Sequence, residues 1–115
     1  MKDLTIIIPS YNRPKDLERQ IPFWDNTDAT VIILDGSTTP LLIKHKLPSN
    51  ITYYHLPISF AERLAFSRSL IKTKFVVMLA DDEIYLPSAL NSSIKFLQKN
   101  SDYSSCKGLC VSFRR

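Results

Sequence analysis

Four short runs of β-branched and apolar residues recur along the chain, and each stops at a proline or a polar cluster. They are Leu4-Thr5-Ile6-Ile7-Ile8, Val31-Ile32-Ile33-Leu34, Ile51-Thr52-Tyr53-Tyr54-His55-Leu56 and Phe75-Val76-Val77-Met78-Leu79. Runs this continuously apolar read as strands covered on both faces. Helix signals lie between them. Pro14 suits the first turn of a helix whose apolar stripe is Leu17, Ile21 and Trp24, and Pro22 is expected to end or bend that helix early. Ser59-Phe60-Ala61-Glu62 is a capping box, which starts a helix reaching about Lys72, with Lys72 and Lys74 at its negative end. Pro87 opens a last helix with the stripe Leu86, Leu90, Ile94 and Leu97. The segment 38–50 holds Pro40 and Pro48 and reads as a short helix or an irregular crossover. Gly108 precedes a final strand-like run from Leu109 to Phe113.

Strands that alternate with helices predict an α/β layered, Rossmann-like fold. A single, mainly parallel sheet should carry helices on both faces, joined by right-handed crossovers. In such sheets ligands bind outside the carboxyl ends of the strands. Here those ends carry Ser10-Tyr11-Asn12-Arg13, Asp35-Gly36-Ser37 and Asp81-Asp82-Glu83. The polar residues with chemical potential therefore converge on one edge.

Composition narrows what that edge can be. The length, 115 residues, suits one domain, 1–115. Only 2 glycines are present, which leaves no room for a Gly-rich phosphate loop. The net charge of +4 is spread along the chain, so no nucleic-acid partner is expected. Cys106 and Cys110, if extended, lie about 13 Å apart, too far for a disulfide, and are expected as two buried thiols. No apolar run approaches the ~20 residues of a membrane span, and the first residues lead straight into a strand. A cytoplasmic location is expected, with association at a membrane face left open.

The three acids Asp81-Asp82-Glu83 repel one another, and burial would raise the penalty. A divalent cation with hard oxygen ligands, Mg²⁺ or Mn²⁺, would resolve that conflict and keep positions for phosphate oxygens. A solvated turn capping the next helix is the alternative. Asp35 is either an acceptor for a base or ribose or a turn-forming Asp. The ring of Tyr11 can stack on a base, and Arg13 can pair with phosphate. Arg63, early in its helix, could neutralise a carboxylate or a diphosphate, or be a solvated helix arginine. His45 and His55 have no partner at suggestive spacing and receive no role.

Three of these segments, in order, resemble the family-2 glycosyltransferases of GT-A fold. Leu4 to Pro14 is similar to that family's opening strand and loop. Val31-Ile32-Ile33-Leu34-Asp35-Gly36-Ser37-Thr38 resembles its second strand, and Phe75 to Glu83, with Pro87 and Leu90, resembles its metal-binding strand end. The resemblance implies a donor-nucleotide-binding half followed, in the family, by an acceptor-binding half. It implies that Pro9, Ser10 and Tyr11 line the base pocket and that Asp35 accepts from the base. It also implies that Asp82 ligates Mg²⁺ or Mn²⁺ and that Arg63 stands near the family's helix arginine. The partners would be a nucleotide-diphosphate sugar and an unknown sugar acceptor. Two departures stand out. Ala80 replaces the first acid of the D-x-D pattern, so one ribose or metal contact is lost or moved to Asp81, and Leu34 replaces the first of a usual acidic pair.

The family's catalytic base would fall beyond Arg115, and none is identified here. The chain is thus expected to be a fragment, a truncated product or a subunit, with a sheet incomplete at its C-terminal side. Its last strand would be an open edge, and Leu109, Val111 and Phe113 would favour self-association. Two functions remain open: a sugar-nucleotide-binding domain of a metal-dependent transferase, and a non-catalytic binding module. A flavodoxin-like signalling domain would also place acids at strand ends but lacks the Pro-Ser-Tyr-Asn and Asp-Gly-Ser motifs.

Overall fold

Each apolar run forms a strand in the computed structural model, which describes residues 1–43 and 46–106. In chain order these strands are β1 (Leu4–Ser10), β2 (Thr30–Asp35), β3 (Ile51–His55) and β4 (Phe75–Met78). The helices are α1 (Pro14–Asp25), α2 (Phe60–Ser67) and α3 (Pro87–Lys99). The chain divides into two compact units, the first Met1–Ile84 and the second from Tyr85 on.

In the first unit the four strands form one sheet in the order β3-β2-β1-β4, with every neighbouring pair parallel. Ile6 sits beside both Val31 and Val77, so the three runs share one register. The step from β1 to β2 moves one way across the sheet, and the step from β3 to β4 moves the other. Right-handed crossovers therefore put α1 and α2 on opposite faces. On the α2 side, Ile7, Ile32 and Leu34 are buried against Leu64, Leu70 and Ile71. On the other side, Ile6, Ile8, Val31 and Ile33 are fully buried. The result is an α/β fold of Rossmann-like class. Among the described residues β4 is an edge strand, with Val76 and Met78 exposed.

Several local expectations change. Pro22 does not end α1, which runs on to Asp25. Pro22 is exposed, as is Glu18, whose carbonyl the missing N–H would have met, so water can serve it. The last turn is held instead by fully buried Trp24, whose carbonyl accepts from Thr27 and from Asn50 Nδ2. The buried stripe of α1 is Leu17, Gln20 and Trp24, with Ile21 only partly covered. The capping box at Ser59 is present in full. Its helix tightens into a 3-10 turn at Arg68–Leu70, short of Lys72. The described residues of 38–50 contain no helix, so this connection is the irregular crossover.

In the second unit, Leu90 is buried on α3, and the rings of Phe96 and Tyr103 stack. Cys106 is exposed rather than buried. Its neighbours at 101–105 are exposed as well, so no apolar packing closes over the thiol. Cys110, His45 and the run from Leu109 to Phe113, with its self-association, lie outside the described residues. Among the described residues no helix is long and apolar enough to cross a membrane.

Candidate functional site at the carboxyl edge of the sheet

The strand order places the loops after β1 and β4 side by side where the order reverses, the position at which open α/β sheets hold ligands. Ser10, the last residue of β1, is the junction. Its hydroxyl donates to Asp81 Oδ2 at 2.7 Å. Its carbonyl accepts from the Gly36 N–H at 2.9 Å and from Arg63 Nη1 at 2.6 Å. One residue thus ties together the ends of β1, β2 and β4 and the first turn of α2.

Arg63 is buried, which neither sequence alternative anticipated. Its Nη1 also donates to the Leu34 carbonyl at 3.0 Å, and its Nε is buried with no partner among the described residues. No carboxylate lies within ion-pair distance of it among the described residues, and its Cζ lies 5.9 Å from the centre of the Phe60 ring. Gly36 makes room for this guanidinium, since a Cβ there would lie 2.6 Å from Arg63 Cζ. Close approach, rather than a left-handed backbone, is why glycine is needed at this position.

At the end of β2, Asp35 is 2 % exposed and engaged at both oxygens. Oδ1 accepts from the Ser37 N–H at 3.0 Å and from the Ser37 hydroxyl. Oδ2 accepts from the Tyr53 hydroxyl at 2.5 Å, which itself accepts from the Leu41 N–H at 2.8 Å. Burial, then the bond to Asp35, push the Tyr53 phenol up to about 12, so it stays a donor. His55 Nε2 donates to the Ser37 carbonyl at 2.7 Å. Ser37 Oγ accepts from the Asn12 N–H at 2.7 Å, which links this network to the β1 loop. Asn12 has φ 55, a left-handed conformation that asparagine tolerates better than most residues.

The three acids after β4 meet three different fates. Asp81 is buried against Ser10, and its pKa is raised by that burial, opposed by the Ser10 hydroxyl and the nearby Arg13. Asp82 is exposed and accepts from Arg13 Nη1 at 3.1 Å. Glu83 turns back so that its carboxylate accepts from the Ala80 N–H at 3.0 Å. The helix-capping alternative does not hold, because α3 has no side-chain cap and no acid in its first turn. Gln20, from α1, donates to the carbonyls of Asp81 at 3.0 Å and Glu83 at 2.6 Å, and so fixes the turn from below.

The residues named from the sequence, Ser10, Arg13, Asp35, Arg63, Asp81 and Asp82, are brought together by direct bonds or through Ser10 and the 35–37 turn. Pro9 is partly buried beneath them, and Tyr11 is exposed at the rim. Gln20, Tyr53 and His55 were not foreseen as members, and Ser37 was named only within the Asp35-Gly36-Ser37 strand end. Tyr53 and His55 alternate along β3 on the same face as Asp35, so period-two reading with the register in hand would have found them.

A divalent ion at the acidic turn would meet the Arg13 guanidinium. Ser10 donates to Asp81 Oδ2, Arg13 Nη1 lies 3.5 Å from Asp81 Oδ1 and 3.1 Å from Asp82 Oδ2, and Glu83 Oε1 accepts from the Ala80 N–H. Among the described residues no three carboxylate, His or Cys side chains gather around one point. The cation at Asp82 is the Arg13 guanidinium.

No family model matches the chain, and no curated protein or solved structure matches it.

Proposed function

We propose that the carboxyl edge of this sheet binds a nucleoside-diphosphate sugar, as the donor-binding part of a glycosyltransferase resembling family 2 of GT-A fold. The observation that carries this is the junction at Ser10, which gathers Asp81, Gly36 and Arg63 where the strand order reverses between β1 and β4. The ligand class comes from the resemblance of the three strand-end motifs. Tyr11, exposed at 59 %, offers its ring to the base. Asp35, engaged by Ser37 and Tyr53, holds the turn after β2 against the β1 loop. Arg63, buried, and Arg13, half exposed, supply positive charge for a diphosphate. Transfer to an acceptor hydroxyl is the reaction this binding would serve, and none of these residues is assigned as its base.

Calorimetric titration with UDP and with GDP tests the proposal. One saturable site per chain is expected for at least one of them. Tyr11→Ala should weaken it by about 1–3 kcal/mol, the value of one base–ring stack. Tyr11 is exposed, so its loss should leave folding intact. A folded chain that binds neither nucleotide would contradict the proposal.

A further inference from the structure

We propose that Arg13 is a built-in cation that keeps the Asp81–Asp82 pair closed to divalent metal, so that the edge binds its diphosphate ligand without Mg²⁺ or Mn²⁺. The metal part stands on the geometry alone, and the ligand part rests on the nucleotide site proposed above. Arg13 Nη1 lies 3.5 Å from Asp81 Oδ1 and 3.1 Å from Asp82 Oδ2, between the two carboxylates. The Ser10 hydroxyl donates to the other oxygen of Asp81, Oδ2, at 2.7 Å. A divalent ion at Asp82 needs a near-complete set of oxygens at about 2.0–2.2 Å, and here it would have to displace the guanidinium or lie beside it. Two cations at such separation repel strongly where one flank is buried.

Arg13 is half exposed, and an exposed ion pair by itself is weak. Two features strengthen this one. Asp81 is buried at 7 % exposure, so its charge is poorly screened and most in need of a partner. The backbone on either side of Arg13 is also constrained, with Asn12 left-handed before it and Pro14 opening α1 after it. The guanidinium is therefore presented to the acids from a fixed point. An ammonium reaching the same place should serve nearly as well, whereas a neutral side chain should not.

The test is titration with Mn²⁺ in the absence of nucleotide, followed by electron paramagnetic resonance of the free ion. Wild-type chain, Arg13→Gln, Arg13→Lys and the double variant Arg13→Gln/Asp82→Asn are compared. Arg13→Gln should bind Mn²⁺ at least about tenfold more tightly than wild type. Arg13→Lys should stay near wild type, and the double variant should lose the gained site. Equal Mn²⁺ affinity in wild type and Arg13→Gln, whether tight or absent in both, would overturn the role given to Arg13. So would a gained site that survives Asp82→Asn. A parallel titration with UDP and GDP in chelator should match that in Mn²⁺. If nucleotide binds only with metal, the inference fails while the nucleotide site stands. If nucleotide binds under neither condition, the nucleotide site fails while the Mn²⁺ comparison still judges Arg13.

Discussion

Asp35 ends β2 and Asp81 follows β4 at the same edge of the sheet, yet different kinds of group surround them. Asp35 is fed by neutral donors, the Ser37 N–H and hydroxyl and the Tyr53 phenol. Asp81 receives one hydroxyl and a distant guanidinium, and has the like charge of Asp82 beside it. Asp35 therefore organises a loop, and Asp81 is a strained member of a charged cluster whose balance a ligand can alter. An acid at a strand end carries no fixed meaning. The donors brought in from elsewhere in the chain decide whether it is structural or responsive.

The largest expected effect is on the organised side. Asp35→Ala strands the Ser37 and Tyr53 donors without an acceptor and should lower folding stability by about 3 kcal/mol. Chemical denaturation measures it, and a loss under about 1 kcal/mol would mean that this network holds little together.

Tyr53→Phe comes next. It removes the bond to Asp35 and leaves the Leu41 N–H without its acceptor, for a loss of about 1.5 kcal/mol at neutral pH. The phenol also has an alkaline signature. Its folded pKa is raised, so the unfolded chain gives up this proton first. The stabilisation is complete below pH 10.0 and is lost as pH rises toward about 12. Thermal melts across that window should decline less steeply for Tyr53→Phe than for wild type.

The smallest effect belongs to the charged side. Asn at position 81 can still accept from Ser10, so Asp81→Asn should change stability at neutral pH by less than about 1 kcal/mol. Its mark lies in acid. Burial raises the folded pKa of Asp81 above its ordinary 3.8, so the folded chain holds this proton more readily than the unfolded one. Stability from this group is fullest below 3.8 and falls as pH rises through the folded value. Asp81→Asn should remove that decline, and an unchanged acid-side slope would show that Asp81 does not feel its burial.

Much of the scaffold was legible because it rests on local pattern. The continuous apolar runs became the four strands, and Pro14, Ser59 and Pro87 marked helix starts through rules that span a few residues. The convergence on one edge was legible too, since a parallel sheet puts all carboxyl ends on one side. What escaped depends on long-range neighbours. The bond from Ser10 to Asp81 joins positions 71 residues apart, and that from Arg63 to Ser10 spans 53. Burial of Arg63 needs the strand order to bring two carbonyls over α2. Tolerance of Pro22 needs the anchoring of Trp24 beyond it. The cation beside Asp81 and Asp82, Arg13, lies 69 residues from Asp82 along the chain, at the start of the sheet's first crossover.

The carboxyl-edge site is tested most directly by recording amide ¹⁵N–¹H spectra while UDP, and separately GDP, is added. The amides of Tyr11, Asn12, Arg13, Gly36, Ser37, Asp81 and Asp82 should shift and saturate together with at least one nucleotide, while those of Thr30, Ile51 and Phe75 at the opposite edge stay fixed. Saturable shifts centred on Thr30, Ile51 and Phe75, or no saturable shift at the loops after β1, β2 and β4, would contradict it.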